Sequence, residues 1–398
     1  MIEMSDDLIS TSIDTPPGTD AAHEVSSLRE LIDRVSGKGF RTVKSEGDAG
    51  LAEVLPFPFL AMVGQEEMKL ALLLALINPS IGGVLLIGPR GTGKTTAVRS
   101  LVDLLPQVPR SLCFYGCTPE DVETGGMDAI CPDCAQKYAK GEPLAVMDRV
   151  RLVELPLNSR LEDVIGGLDE RAALHERVRL RRGIMAQADR NLLYIDEVNL
   201  LNDEVVDAIL DAATAGNYTV RRGPVSATYR SRFVLVGSMN PEEGRLRPQI
   251  MDRFGLRVVV KGMTDQDERF EAYKRVRAYQ VNPRGTVAQY AAETAMARDE
   301  IQAARRLLME VQLPKRIAEM GLALIDQLKI DSLRAEITLF EASRAYAAAD
   351  GRKDVKVEDL YQVCPMTLRL RRSVFMNEYL LQQETEESEI KAILSKTL

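Results

Sequence analysis

Val84-Leu85-Leu86-Ile87-Gly88-Pro89-Arg90-Gly91-Thr92-Gly93-Lys94-Thr95-Thr96 decides how the chain is read. Val84 to Ile87 form an unbroken apolar run, the pattern of a strand buried on both faces, and Gly88 to Thr95 match G-x4-G-K-[ST]. Such a loop cradles phosphate. Its glycines let backbone N–H groups curl around the oxygens, Lys94 brings a cation to the outer ones, and the Thr95 hydroxyl takes a place on Mg²⁺. Residues 95–105 are helical in composition, so the anion would sit at a helix N-terminus where unpaired donors point outward. The expected phosphate-contacting set is Gly88, Pro89, Arg90, Gly91, Thr92, Gly93, Lys94, Thr95 and Thr96, with ATP and Mg²⁺ as cofactors.

The second half of such a site lies downstream in Asn191-Leu-Leu-Tyr-Ile-Asp196-Glu197, a short apolar strand ending in two carboxylates. Asp196 is expected to hold Mg²⁺ through water, together with Thr95, and Glu197 to polarise the attacking water. Residues 233–236 read as another buried strand leading to Ser238-Met-Asn240-Pro241, where Asn240 can orient that water or touch the γ-phosphate. Residues 151–157 read as a further strand.

Bulk composition limits the partners. The 398 residues are 45% hydrophobic and 28% charged with a net charge of −8, the balance of a globular protein and not of a generic nucleic-acid binder. Residues 70–77, the longest apolar run, are far too few to span a bilayer, and the N-terminal region lacks a charged-then-apolar secretory pattern. Its Asp and Glu content also argues against a transit peptide. A bacterial cytoplasm is the expected location.

Four of the five cysteines crowd into one segment as Cys113-x3-Cys117 and Cys131-x2-Cys134. Two short-spaced thiol pairs can close a tetrahedron, which points to structural Zn²⁺. An iron–sulfur cluster, a redox disulfide and unliganded thiols remain alternatives. Cys364 stands alone and reads as a small core residue.

The run from residue 58 to 101, with VGQEEMKLALLLALINPSIGGVLLIGPRGTGKTT, resembles the ATPase I subunits of magnesium chelatase, which are ring-forming AAA+ proteins. Pro89 departs from that family, which usually has an acidic residue there. The likeness extends over roughly residues 58–376 and implies an α/β fold: a P-loop AAA+ parallel-sheet domain with hairpin insertions, followed by a separate helical lid. It places Val63-Gly-Gln65 as a lid over adenine, Asn240 as the first sensor, Arg253 as an arginine finger supplied by the neighbouring subunit, and Arg334 as the second sensor. Arg247 is the weaker candidate for the finger. The implied partners are a homo-oligomeric ring, expected as a hexamer, then the chelatase D subunit and, through it, the large porphyrin-binding H subunit. The implied role is to burn ATP while those partners insert Mg²⁺ into protoporphyrin IX; cobalt chelation is a variant of the same role. The family does not explain the four cysteines.

The domain layout that follows is an extension over 1–50 with a candidate helix at 24–35, the ATP-binding domain over 51–262, a helical lid over 263–376 and an acidic tail over 377–398. Insertions fall at 113–134, at 161–184 (a hairpin around Gly166-Gly167, then a charged helix over 169–180 carrying His175) and at 217–231, a hairpin around Arg222-Gly-Pro224. The 161–184 element either lines the ring pore or is a plain surface hairpin. Two other functions share the ATPase motifs. One is a MoxR-type remodelling chaperone with an integrin-like partner; the other is a DNA-acting motor, for which Arg221 and Arg222 supply too little positive charge.

Overall fold

The computed structural model describes residues 55–113, 116–168, 180–223 and 225–372. Five parallel strands form the central sheet: β1 (Val84–Ile87), β2 (Leu152–Leu155), β3 (Leu192–Ile195), β4 (Val234–Met239) and β5 (Leu256–Val259), ordered β5-β1-β4-β3-β2. Alternate side chains enter two cores. Val84, Leu86, Leu192, Tyr194, Val234 and Val236 face one, while Leu85, Ile87, Leu193, Ile195, Leu235 and Met239 face the other. Both faces are covered, which is why these strands read as continuous apolar runs and not as alternating ones. Helices α1 (Glu66–Ile77) and α2 (Lys94–Ser100) pack on the first face, and α3 (Asp203–Ala215) packs on the second.

Local details differ from the sequence expectation at element ends. The helix after the P-loop stops at Ser100 and continues as a 3₁₀ turn, Leu101–Leu104. The expected strand over 151–157 is shortened to β2, and the one over 233–236 runs on to Met239. Leu180, expected to end a helix, instead lies in the strand Leu180–Arg182, which pairs antiparallel with Gly166–Leu168. The rest of that helix and His175 lie outside the described residues, as do the 1–50 extension with its 24–35 helix and the 377–398 tail.

The lid comprises α4 (Gln266–Val281), α5 (Pro283–Gln289), α6 (Ala291–Leu308), α7 (Lys315–Gln327), α8 (Leu333–Ala349) and α9 (Val357–Leu368). Tyr290 separates α5 from α6, and the Ser332 side chain caps α8 by accepting from the Ala335 N–H. Ile301, Ala304, Leu308, Leu339 and Val363 belong to the same buried cluster as Val84 and Leu86. The lid is therefore welded to the sheet side through α1: Arg305 Nε donates to Leu76 O at 2.7 Å, and Asn78 Nδ2 donates to Glu341 Oε2 at 2.7 Å. Among the described residues no helix is long and apolar enough to cross a membrane.

Besides the Gly166–Leu168 pair, two further antiparallel ribbons stand apart from the sheet: Asn217–Arg222 with Val225–Arg230, within the segment read as the 217–231 hairpin, and Val108–Ser111 with Ala145–Asp148, which the sequence did not signal. The second ribbon carries the cysteine segment between its strands.

Candidate functional site

Strand register assembles the site. Ile87 is paired with Met239, so Gly88 and Asn240 leave the sheet side by side; Gly237 is paired with Ile195, so Ser238 stands across from Asp196. The carboxyl ends of β1, β3 and β4 thus converge on a cavity of about 330 Å³ lined by Arg90 to Thr96, Asp196, Glu197, Ser238, Met239 and Asn240. The P-loop fits closely against the sheet at one end and lies open at the other. A Cβ on Gly88 would lie 2.2 Å from Val260 O, while Gly91 (φ +77°) has open space around it and Gly93 (φ +85°) starts α2 from the left-handed region that favours glycine.

Lys94 is buried, and its ammonium donates to Gly88 O at 2.7 Å and Pro89 O at 2.8 Å. Burial pushes its pKa below the ordinary lysine value, against the pull of Asp196, Glu197 and Glu243. The Thr95 hydroxyl is 3.1 Å from the Tyr194 hydroxyl, which donates to Asp196 Oδ1 at 2.8 Å, and Ser238 Oγ donates to the same oxygen. Burial pushes the Tyr194 phenol well above its usual range, so it stays a donor. A hydroxyl and a carboxylate held together at the phosphate cradle are the hard oxygen set that Mg²⁺ takes while keeping most of its waters. The donor set therefore fits Mg²⁺ with a nucleoside triphosphate.

Glu197 sits at φ +51°, an uncommon conformation for a residue with a side chain, and its N–H donates to Ser238 Oγ at 3.1 Å. Its carboxylate accepts from Arg90 Nη2 at 3.2 Å; Arg90 Nε is 2.6 Å from Glu243 Oε1, and Asn240 Nδ2 donates to that oxygen at 3.1 Å. P-loop, water-polarising carboxylate and sensor are thereby one chain of contacts. Sequence reasoning missed Tyr194, Ser238 and Glu243. The first two were within reach, since each precedes a recognised residue by two positions on a strand and so shares its face.

The AAA domain model matches residues 81–239 and the AAA lid domain model residues 323–393. A magnesium-chelatase subunit ChlI homolog of Methanocaldococcus jannaschii is 41% identical over 335 residues, which span 83% of this chain and 90% of that protein. The chain belongs to the magnesium-chelatase subunit I family of AAA+ proteins. Within the family it is also 43% identical to the magnesium-chelatase 38 kDa subunit of Acidiphilium rubrum, over 79% of this chain and 90% of that one. Among solved structures, a putative ATPase from Cytophaga hutchinsonii shares the fold at 18% identity and a TM-score of 0.50, covering 78% of this chain and 83% of its own. A chain from a BchI–BchD assembly of magnesium chelatase matches at 40% identity, covering 80% and 97%, with a TM-score of 0.46.

The arginines that the subunit I resemblance implies lie elsewhere. Leu256 pairs with Val84, the first residue of β1, and Gly255 N donates to Gly82 O at 3.3 Å. Arg253 therefore stands below the amino end of the sheet, while the P-loop begins above its carboxyl end, a strand length of roughly 13 Å away. There Arg253 Nη1 is 2.8 Å from Asp211 Oδ1 and 3.3 Å from Asp207 Oδ1, both on α3. Arg247 pairs with Asp203 at 2.8 Å and Asp207 at 3.3 Å on the same helix. Arg334 is 3.4 Å from Asp252 Oδ2, at the same amino end of the sheet, and does not line the nucleotide cavity. Arg334, which the resemblance implies as the second sensor reaching from the lid to the nucleotide, thus stands apart from the cavity of its own protomer. The cause is where the lid docks: α8 packs against α1 and the turn before β1, away from the P-loop.

Gln65 (φ +57°) donates from Nε2 to Lys261 O at 2.6 Å beside a cavity of about 360 Å³ that Glu67 and Arg369 also line. This is where the Val63-Gly-Gln65 expectation had put the adenine.

The four cysteines of the insertion come together. Their Sγ atoms all lie within 4.8 Å of one another, Cys117 and Cys134 are buried, and none is in a disulfide. Such a tetrathiol cluster can hold a metal ion. The Cys113–Cys131 separation of 3.9 Å matches the edge of about 3.8 Å that a tetrahedron with Zn–S bonds of about 2.3 Å requires. Cys131 N–H also donates to Cys117 Sγ at 3.3 Å. Cys364 packs beside the main core, as expected.

Proposed function

We propose that this chain is the ATP-hydrolysing, ring-forming motor subunit of a magnesium chelatase, coupling hydrolysis to Mg²⁺ insertion into protoporphyrin IX by partner subunits. The observation that carries the reading is an incomplete pocket. Cradle, metal ligands and water-polarising carboxylate meet at the carboxyl end of the sheet, while Arg253 and Arg334 stand at the amino end. A neighbouring copy brings that end against the pocket in a closed head-to-tail ring, expected as a hexamer. In hydrolysis Lys94 and the loop N–H groups hold the phosphates, Thr95 and Asp196 would hold Mg²⁺, which would neutralise phosphate charge, and Glu197, released from Arg90, orients water with Asn240. Arg253 of the neighbour then stabilises the charge that develops as the bond breaks, with Arg334 beside it.

The relatives are named as numbered or lettered subunits of magnesium chelatase, so the enzyme has further subunits. On this reading the partners are the D subunit and, through it, the porphyrin-binding H subunit, all in the cytoplasm; the comparisons favour this over the remodelling chaperone and the DNA motor. Reconstitution with D and H subunits tests it: ATP-dependent growth of Mg-protoporphyrin fluorescence is expected. ATP turnover without any such fluorescence, by a chain that does bind D, overturns it.

The four cysteines hold structural Zn²⁺ on the same reading. Among the described residues the insertion's apolar cluster has Cys117, Ile130, Cys134 and Leu144 as its buried members, a small core that a metal would staple. An iron–sulfur cluster would interpose its own iron and sulfide and hold the thiolates farther apart. Metal analysis of freshly purified protein is expected to find stoichiometric zinc and no iron; iron with a visible charge-transfer band overturns the assignment.

A further inference from the structure

Arg371, just past α9, is the most fully engaged side chain outside the nucleotide pocket, and nothing in ATP binding calls for it. It is 8% exposed, and its guanidinium is turned entirely onto the segment that carries Arg253. Nη1 donates to Asp252 Oδ1 at 2.6 Å and Asp252 O at 3.3 Å, Nη2 to Phe254 O at 3.3 Å and Gly255 O at 3.1 Å, and Nε to Thr367 O of its own helix at 2.6 Å. The residues on both sides of Arg253 are thus held by one side chain from the lid. Two positions earlier, Arg369 Nη1 donates to Glu67 Oε1 at 2.6 Å, next to Gln65. Leu370 between them has φ +58°, a costly conformation for leucine, and this turn sends the two guanidiniums to different targets. Arg257, wholly buried, joins them: it donates to Asp252 Oδ1 at 3.2 Å and to Arg369 O at 3.1 Å.

We propose that residues 369–371 form a positioning strap for the arginine finger, in which Arg371 sets the direction of Arg253 toward the neighbouring protomer. Arg369 ties the same strap to α1 beside the protomer's own nucleotide. The strap gives each subunit a direct mechanical link between the base side of its own site and the cation it offers next door. The inference rests on the reading that Arg253 acts on the adjacent subunit. Arg371 lines neither the phosphate pocket nor the cavity beside Gln65, so its effect is on the neighbour's turnover. Only a forked, planar cation can reach a carboxylate and four carbonyls at once, so lysine is not an equivalent.

Mixed rings test it. Arg371→Met alone is expected to bind ATP with near-normal affinity and to lose turnover by at least about tenfold. Mixing it with Lys94→Ala subunits, which cannot bind ATP but carry an intact strap and finger, is expected to restore turnover at the Arg371→Met sites. Mixing Arg253→Ala with Lys94→Ala serves as the reference and should recover likewise. If the reference recovers and the Arg371→Met mixture does not, Arg371 acts within its own subunit and the strap is overturned. If the reference itself stays dead, the trans finger fails, and the strap falls with it for a visibly different reason. Should Arg371→Met not fold, Arg371→Lys, which keeps the charge at Asp252 and gives up the carbonyl bonds, carries the same mixing test.

Discussion

The Tyr194 hydroxyl stands between Thr95 and Asp196, so one oxygen atom sets the geometry of the metal site without being part of the ATPase motifs. Tyr194→Phe keeps the ring that fills the core and deletes only that bridge. A hydrogen bond to a charged group contributes about 1.5–3 kcal/mol, so turnover at limiting Mg²⁺ is expected to fall by roughly 10- to 100-fold. A Mg²⁺ titration of ATPase rate checks this, with saturation shifted to higher Mg²⁺ while nucleotide binding without metal is unchanged. Lys94 gives a pH signature. Its pKa is lowered first by burial, so in the free protein the ammonium is lost at a lower pH than for an exposed lysine at 10.5. ATP affinity is therefore expected to decline with rising pH from a break below 10.5, read from binding isotherms with circular dichroism confirming that the fold persists. A break at the exposed-lysine value, or none, contradicts the assignment of Lys94 as the phosphate cation.

Elements carry these residues to where they work, and α3 shows how. It presents Asp203, Asp207 and Asp211 at successive turns, and these acids hold Arg247 and Arg253 within the protomer. On the proposed reading Arg253→Ala removes a cation from the neighbour's site and little else, because its partners within the protomer are solvent-accessible acids that rehydrate freely. Nucleotide affinity should stay within about threefold while kcat falls by about 10³ or more, as judged by single-turnover and steady-state assays together. The cysteine insertion is a second element with its own logic. Its helix Pro119–Gly125 docks by Glu120 onto Arg190, Arg230 and Arg232, and by Asp121 onto Arg230 at 2.9 Å. All these contacts lie near the amino ends of β3 and β4, away from ATP. Cys131→Ser is expected to lose zinc, lower Tm by about 3 °C or more and leave ATP affinity unchanged. Metal analysis and differential scanning calorimetry on one preparation decide it.

At the scale of the whole molecule, a protomer is a sheet with the phosphate cradle at one end and Arg253 and Arg334 at the other, and on the proposed reading such a molecule is inactive alone. Specific ATPase activity should therefore rise with protein concentration and saturate as the ring forms, while nucleotide binding per chain stays constant across the same range. Sedimentation or light scattering run beside the assay locates the transition. Activity per chain that is independent of dilution, down to concentrations where only monomer sediments, removes the ring from the mechanism. The lid's buried residues continue the core on the β1 face and join α1 to α6 and α8.

The parts of this protein that the sequence by itself determined are those in which chemistry depends on local order. Gly88 to Thr95 specify a phosphate cradle because glycine torsions and a helix start are properties of neighbouring residues, and Asp196-Glu197 declares itself because an apolar strand must lead into it. The cysteine spacing likewise announced a four-thiol cluster before any fold was known. Tertiary structure decided what depends on register and docking. Ser238 meets Asp196 only because Gly237 pairs with Ile195, and Glu243 meets Arg90 only because β4 and the P-loop end level. Arg253 and Arg334 lie at the far end of the sheet because β5 begins level with β1 and the lid packs on α1. No local pattern encodes that distance, since it is set by apolar burial between segments far apart in the chain, and on the proposed reading it is this separation that makes the active site a property of two subunits.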